Sequence, residues 1–199
     1  SHIYKLLLGK IETQVENRID HHVSMLDMTG GKGFFAEMAI NHLLSKYNNL
    51  TIQYHLVDLN YYSIKMAQER LLPLLNRFGT RLELSISTKS INGFSKSNET
   101  SFNIIISCGG VLNKEVVETQ KEAADNMRLL MSQLKEHGQL IATGKTPLFS
   151  NKKEIEREGY SVQACSSFSQ NYQVEASCLM SLFTQMYVIT NQSNGLLQP

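Results

Sequence analysis

The sequence predicts an α/β fold: a three-layer, doubly wound, mostly parallel sheet finished by an antiparallel C-terminal hairpin. Three observations predict it. Short apolar runs alternate with amphipathic helical stretches up to about Glu158, the pattern of strands joined by crossover helices. The first apolar run leads straight into a glycine-rich turn, Asp27-Met28-Thr29-Gly30-Gly31-Lys32-Gly33. Beyond it, two strand-like runs follow with no long helix between them, as expected of an antiparallel pair at a sheet edge.

The elements follow in order. Ile3 to about His22 reads as an amphipathic helix, with Ile3, Leu6, Leu7, Ile11, Val15 and Ile19 on one face. Val23 to Met28 is a buried strand, and Gly33 to about Tyr47 a helix carrying Phe34, Met38, Leu43 and Leu44, stopped by Asn48-Asn49. Thr51 to Val57 is a strand ending in Asp58. Tyr61 to about Arg77 is a helix that Pro73 shortens or kinks. Arg81 to Ser87 alternates as a strand, and Gly93 to Thr100 is a polar loop. Phe102 to Ser107 is a strand around Ile104, Ile105 and Ile106. Val116 to about Glu136 is a long helix capped by His137-Gly138. Gln139 to Thr143 is a strand and Lys152 to Glu158 a short charged helix. Tyr160 to Phe168 and Leu182 to Thr190 form the closing strand pair. The expected organisation is a helix over 1–22 packed on a single domain over 23–190, with a frayed polar tail over 191–199.

Composition narrows the function. With 199 residues, 42% of them hydrophobic, the chain can bury one substantial core. A net charge of +1, with no basic run longer than Lys152-Lys153, disfavours extended contact with nucleic acid phosphates. Cys108, Cys165 and Cys178 form neither a disulfide framework nor a zinc pattern, so a reducing, cytoplasmic setting and no metal are expected. The longest apolar runs fall far short of a membrane span, and the amino end lacks a secretory layout. Opening on Ser1-His2 rather than Met reads as an excised domain or a tag remnant.

The chemistry concentrates where strands end. In open sheets of this kind ligands bind beyond the carboxyl ends of the strands. Gly30, Gly31 and Gly33 let the backbone turn sharply and let a ligand approach it, while the following helix aims its N–H groups at that ligand. The same glycines would also serve a tight turn that binds nothing. Asp58 ends the second strand 25 residues past Gly33, where a carboxylate can accept both hydroxyls of an adenosine ribose. The alternative is that it simply caps the helix beginning near Tyr61.

Taken together these segments resemble class I S-adenosylmethionine-dependent methyltransferases. The turn Asp27 to Gly33 resembles their first motif, and Asp58-Leu59-Asn60 their acidic ribose-binding motif. Phe102 to Ser107 resembles their fourth strand, Leu134 to Ile141 their turn into the fifth, and the paired tail strands their reversed hairpin. The resemblance implies the Rossmann-like methyltransferase fold and S-adenosyl-L-methionine as cofactor, with S-adenosylhomocysteine as product. Its implied cofactor-binding residues are Asp27, Met28, Thr29, Gly30, Gly31, Gly33, Asp58, Leu59, Ser87, Thr88, Ser107, Cys108 and Gly109. The sequence departs from the family pattern at Thr29 for the first glycine and at Ser87, Thr88 or Lys89 for the adenine-side acid. It departs again at Asn103 for the acid of the fourth strand and at Gln139 for a second glycine.

Such a fold implies methyl transfer by in-line displacement with no covalent protein nucleophile. Substrate-facing residues are expected after the fourth and fifth strands and at the start of the third helix, with Asn113, Lys145 and Tyr62 as candidates. Asn113 also reads as a helix cap, Tyr62 (like Tyr4 and Tyr61) as ordinary packing, and Cys108 as a small packed side chain rather than a reactive thiol. His21-His22 reads as a polar helix end rather than a metal pair. No Asn-Pro-Pro-Tyr-like segment follows the fourth strand, which points to a small-molecule or protein acceptor. Two other readings compete. Gly31-Lys32-Gly33-Phe34-Phe35-Ala36 fits a dinucleotide fingerprint, and the altered motif positions suit a non-catalytic scaffold domain.

Overall fold

The computed structural model describes residues 2–97, 100–108, 119–143, 148–165 and 186–192. The chain divides into two compact units, residues 1–98 and 99–199.

The first unit runs α1 (His2–Glu16), β1 (His22–Met28), α2 (Phe34–Lys46), β2 (Thr51–Asp58), α3 (Tyr61–Phe78), a single 3-10 turn, β3 (Leu82–Thr88) and α4 (Ile91–Ser97). β2 pairs in parallel with β1 on one side and β3 on the other. Parallel pairing follows from the crossover helices, and it brings all three strand ends to the same side. Val23, Ser24, Met25 and Leu26 at the centre of β1 are buried on both faces, and Tyr54 and Leu56 of β2 are as deeply enclosed.

α1 ends earlier than its apolar spacing suggests, at Glu16 rather than near His22. Arg18 decides this. Its guanidinium donates to both carboxylate oxygens of Asp20 and to the His22 carbonyl, folding the chain into β1 through a left-handed His21 (φ 51°). Ile19 is consequently 95% exposed instead of joining Leu7, Leu8, Ile11 and Val15 in the core. His21 and His22 therefore do not end a helix: His22 opens β1 and bonds Thr51 through Nδ1 at 2.9 Å.

α2 buries Phe35, Ala36, Ala39, Ile40, Leu43 and Leu44, so its inward face is rotated from the one that Phe34 and Met38 suggest. Phe34 is half exposed, under the Arg70 guanidinium at 3.8 Å. The carbonyls at the end of α2 have no following turn to pair with. Arg81 takes over, one terminal nitrogen donating to the carbonyls of Leu44, Tyr47 and Asn48 at 3.0, 3.2 and 3.1 Å. Arg81→Ala is expected to lower unfolding free energy by about 1–2 kcal/mol, read by urea denaturation.

α3 starts at Asn60, whose side chain accepts the Ser63 N–H, and stops at Gly79 with φ 56°. Pro73 does not shorten the helix, which runs through it to Phe78, close to the expected end near Arg77. Pro73 lies on the exposed face, where the carbonyl it frees can turn to water. The expected loop at Gly93 to Thr100 is instead mostly α4, because Ile91 and Phe94 bury one face and Ser90 Oγ accepts the Gly93 N–H at 3.0 Å.

The second unit runs β4 (Phe102–Cys108), α5 (Gln120–Met131), β5 (Leu134–Thr143), α6 (Leu148–Arg157), β6 (Tyr160–Cys165) and β7 (Met186–Asn191). β4 and β5 are parallel, whereas β7 runs antiparallel to both β5 and β6. The closing antiparallel pair is thus present.

The long helix expected over Val116 to Glu136 is shorter. Thr119 caps α5 by accepting the Glu122 N–H, and the helix stops at Met131. Leu134 to Gly138 belongs to β5, bulging between the pairs Phe102↔Leu134 and Ile104↔Gln139. Apolar spacing continues through Leu130, Met131 and Leu134, but the Gln133 carbonyl takes the Phe102 N–H at 2.8 Å. Gly138 is not a helix cap. A Cβ there would stand 2.9 Å from the carbonyl oxygens of Lys135 and Phe102, so the bulge tolerates only glycine. Residues 116–118 and the strand extensions expected at 166–168 and 182–185 lie outside the described residues.

Candidate functional site

The first unit assembles a polar cradle at the carboxyl ends of β1, β2 and β3. Parallel register sets Met28 beside Val57, Val57 beside Ser87 and Asp58 beside Thr88. Asp27, Met28, Thr29, Gly30, Gly31, Gly33, Asp58, Leu59, Ser87 and Thr88 therefore share one end of one sheet.

The turn after β1 is tied down by its backbone. The N–H groups of Thr29 and Gly30 both donate to the Val57 carbonyl, at 2.7 and 3.2 Å. The Gly31 N–H donates to Asp58 Oδ2 at 2.9 Å, while Asp58 Oδ1 accepts the Asn60 N–H at 2.8 Å. Asp58 thus spans two turns, and the helix cap is Asn60 beside it. Each carboxylate oxygen has a second lone-pair direction for a further donor.

Each glycine has its own reason. A Cβ on Gly30 would stand 2.6 Å from Leu56 Cγ and 3.0 Å from Asp27 Cγ, so the turn packs directly on β1 and β2. Gly31 (φ 58°) has nothing within 4 Å of that position and presents open backbone. Gly33 (φ 76°) precedes α2, and no side chain caps that helix. The positive end of α2 thus faces the turn uncapped by any side chain.

Thr29 adopts φ 68°, a left-handed conformation that costs a β-branched residue about 1–2 kcal/mol. Its hydroxyl donates back to the Met28 carbonyl. Thr29→Gly is expected to raise stability by about 0.5–1 kcal/mol, the relieved strain being partly offset by glycine's chain entropy. A rise in urea midpoint at constant m-value is the signature.

Asp27 is the unusual group. It is only 4% exposed, and Tyr54 Oη donates to its Oδ2 at 2.9 Å. Burial pushes its carboxyl up to about 7; the Tyr54 hydrogen bond opposes this and the nearby Asp58 charge adds to it.

Two residues that sequence reasoning did not single out hold the cradle. Tyr54 lies under it, and a phenol on the buried face of an alternating strand, between Ile52 and Leu56, was the available signal, since a buried Tyr hydroxyl needs a partner. Arg70 reaches across from α3, with Nε donating to the Lys32 carbonyl at 3.2 Å and a terminal nitrogen bonding Glu37 at 2.6 Å. No local pattern could have linked Arg70 to a turn 38 residues earlier. Leu59 and Tyr62 are exposed at the start of α3, with Tyr61 edge-on to Tyr62 at 5.9 Å.

In the second unit Ser107 and Cys108 end β4. Ser107 Oγ is buried with no hydrogen-bond partner among the described residues, as is Thr143 Oγ1, whose residue sits opposite Cys108. Gly109, Asn113 and Lys145 lie outside the described residues. Among the described residues no group of three or more His, Cys, Asp or Glu side chains could hold a metal. Nor is any helix among them long and apolar enough to cross a membrane.

No described family and no curated protein matches the sequence. Solved structures do match. A Listeria monocytogenes protein assigned as a class I S-adenosylmethionine-dependent methyltransferase superposes with a TM-score of 0.64 at 14% identity, over 99% of this chain and 61% of its own. The DszA carbon methyltransferase gives 0.63 at 11% identity, over 99% of this chain and 55% of its own. A Streptococcus mutans protein assigned as a methyltransferase, solved with S-adenosylhomocysteine, gives 0.60 at 12% identity, over 92% of this chain and 96% of its own. The chain thus spans little more than half of the first two and nearly all of the third. Its strand pairings, its glycine turn and these whole-chain likenesses agree: the protein has the Rossmann-like fold of class I S-adenosylmethionine-dependent methyltransferases.

Proposed function

We propose that this protein is an S-adenosylmethionine-dependent methyltransferase acting on a small-molecule or protein acceptor. One observation carries the reading: Asp58 accepts the Gly31 N–H at 2.9 Å, which seats a carboxylate against the open backbone of the glycine turn. A nucleoside with a free ribose diol fits that donor set, since its hydroxyls can donate to the unused lone pairs of Asp58. The N–H groups at the start of α2 would receive the polar end of the ligand. When bound, S-adenosylmethionine supplies the methyl group and the sulfonium leaving group. The chain's own work is to hold the ligand at Asp58 and the turn, to keep the turn rigid through Arg70, and to orient the acceptor.

Ser107 and Cys108 are proposed as further cofactor contacts, and Ser87, Thr88 and Leu59 as the surroundings of the base. Asn113, Lys145 and Tyr62 are proposed to face the acceptor. The balanced charge supports an acceptor other than a long nucleic acid, and the cysteine usage supports a cytoplasmic setting.

Calorimetric titration with S-adenosylhomocysteine tests the cofactor directly. Saturable 1:1 binding is expected, with stabilisation against heat that NAD does not give. Stabilisation by NAD alone would make the protein a dinucleotide enzyme. A complete lack of binding by both would make it a non-catalytic scaffold, the reading that the strained Thr29 at a family glycine favours.

A further inference from the structure

We propose that Tyr54 is a positioning residue for the cofactor: its buried hydroxyl holds the Asp27 carboxyl beneath the glycine turn, and the pair gives up a proton when S-adenosylmethionine binds. This rests on the cofactor reading above and says how that site responds to pH.

The geometry brings Tyr54, Asp27 and the backbone of Gly30 together. Asp27 pairs across the sheet with Leu56, and Tyr54 lies two residues earlier on the same face of β2, so its hydroxyl reaches Asp27 Oδ2 at 2.9 Å. Both residues are buried. Gly30 lies directly against the carboxyl, its missing Cβ 3.0 Å from Asp27 Cγ. The turn backbone at Gly30 thus packs against the Asp27 carboxyl.

The groups facing Asp27 set a near balance between its two forms. Burial favours the neutral acid, the Tyr54 hydroxyl favours the carboxylate, and the Asp58 charge again favours the acid. On α2, Glu37 is engaged by Arg70, and Lys32 in the turn is exposed. S-adenosylmethionine carries an ammonium, a sulfonium and a carboxylate, so its binding brings net positive charge to the turn and tips the balance to the Asp27 carboxylate. The Asp27 O–H bond breaks, the proton passes to bulk solvent, and the Tyr54 O–H continues to donate to the carboxylate left behind. By reciprocity, affinity rises with pH across the range in which Asp27 titrates.

The test is calorimetry of S-adenosylmethionine binding to the whole chain in buffers of differing ionisation enthalpy, at several pH values. The wild-type protein is expected to release about half a proton more than Asp27→Asn near neutral pH. Tyr54→Phe is expected to move the midpoint of that release upward by about one pH unit, because the hydrogen bond favouring the carboxylate is gone. A tyrosine that merely packs would change thermal stability and leave the midpoint in place. Equal release by wild type and Asp27→Asn overturns the proposal, as does an unmoved midpoint in Tyr54→Phe. Should Tyr54→Phe fail to fold, the comparison with Asp27→Asn decides alone. Binding without that proton overturns only the pair, whereas no binding of S-adenosylmethionine by the wild type overturns the cofactor reading and the pair together.

Discussion

Asp58→Ala is expected to weaken S-adenosylhomocysteine binding by at least about 100-fold, because the proposed site gives two ribose hydroxyls hydrogen bonds to this carboxylate, each contributing about 1.5–3 kcal/mol. The structure adds a cost to the free protein. Asp58 also receives the N–H groups of Gly31 and Asn60, which fix the glycine turn and the start of α3. Alanine should therefore lower unfolding free energy by about 2 kcal/mol as well. Asp58→Asn separates the two effects. Its amide oxygen can still accept one of those N–H groups, so stability should recover by about half while affinity stays depressed. Calorimetry and urea denaturation on the same three proteins check both. Wild-type affinity in Asp58→Ala would remove Asp58 from the cofactor site.

Asp27→Asn is expected to flatten a pH dependence of stability. The sign follows from the direction of the shift. Folding raises the Asp27 carboxyl from its ordinary range to about 7, so between those values the folded chain holds a proton that the unfolded chain has lost. Wild-type stability then falls as pH rises through that window and levels off above it. From about pH 5 to about pH 7 the fall is about 2–3 kcal/mol at 1.36 kcal/mol per unit. Asparagine resembles the neutral acid in shape and can still accept from Tyr54, so the variant should match the wild type near pH 5 and exceed it near pH 7. Urea denaturation across that range reads the difference directly. A constant gap between the two proteins would mean that Asp27 does not titrate there.

Why does a protein carry a buried acid that is destabilised near neutral pH? Strain and desolvation concentrate at functional sites, where the surrounding structure holds groups in states they would not choose. Thr29 and Asp27 lie two residues apart and share this character, one in backbone torsion and the other in solvation. Both flank the strand end from which the turn departs.

Much of the first unit was legible in advance because its signals are local. Val23 to Met28 followed by three glycines specifies a strand, a turn and a helix within a dozen residues. Asp58 at the end of the next strand is the same kind of mark. Errors arose where a periodic pattern ran past a boundary set by a partner far along the chain. Ile19 continues the stripe of α1, yet Arg18 bonds Asp20 and the His22 carbonyl. Leu134 continues the stripe of α5, yet the Gln133 carbonyl is taken by Phe102. Conversely, α4 is hidden in a polar composition and exists because Ile91 and Phe94 have something to pack against. The motif resemblance implies Leu59 and the place at a helix start suggests Tyr62, but their exposure is visible only in three dimensions.

The sequence by itself determined the order of strands and helices apart from α4, the turn at Asp27 to Gly33 and the carboxylate at Asp58. Those depend on hydrophobic period and on the conformational freedom of glycine, which neighbours within a few residues decide. Tertiary structure alone decided that Asp58 bonds Gly31, that Arg70 grips Lys32 and Glu37, and that Tyr54 meets Asp27 out of solvent. These contacts join residues separated by 27 to 38 positions, and the register of parallel strands and the packing of α3 bring them together. Burial and hydrogen bonding then set the charge on Asp27, a property of its surroundings that no run of adjacent residues encodes.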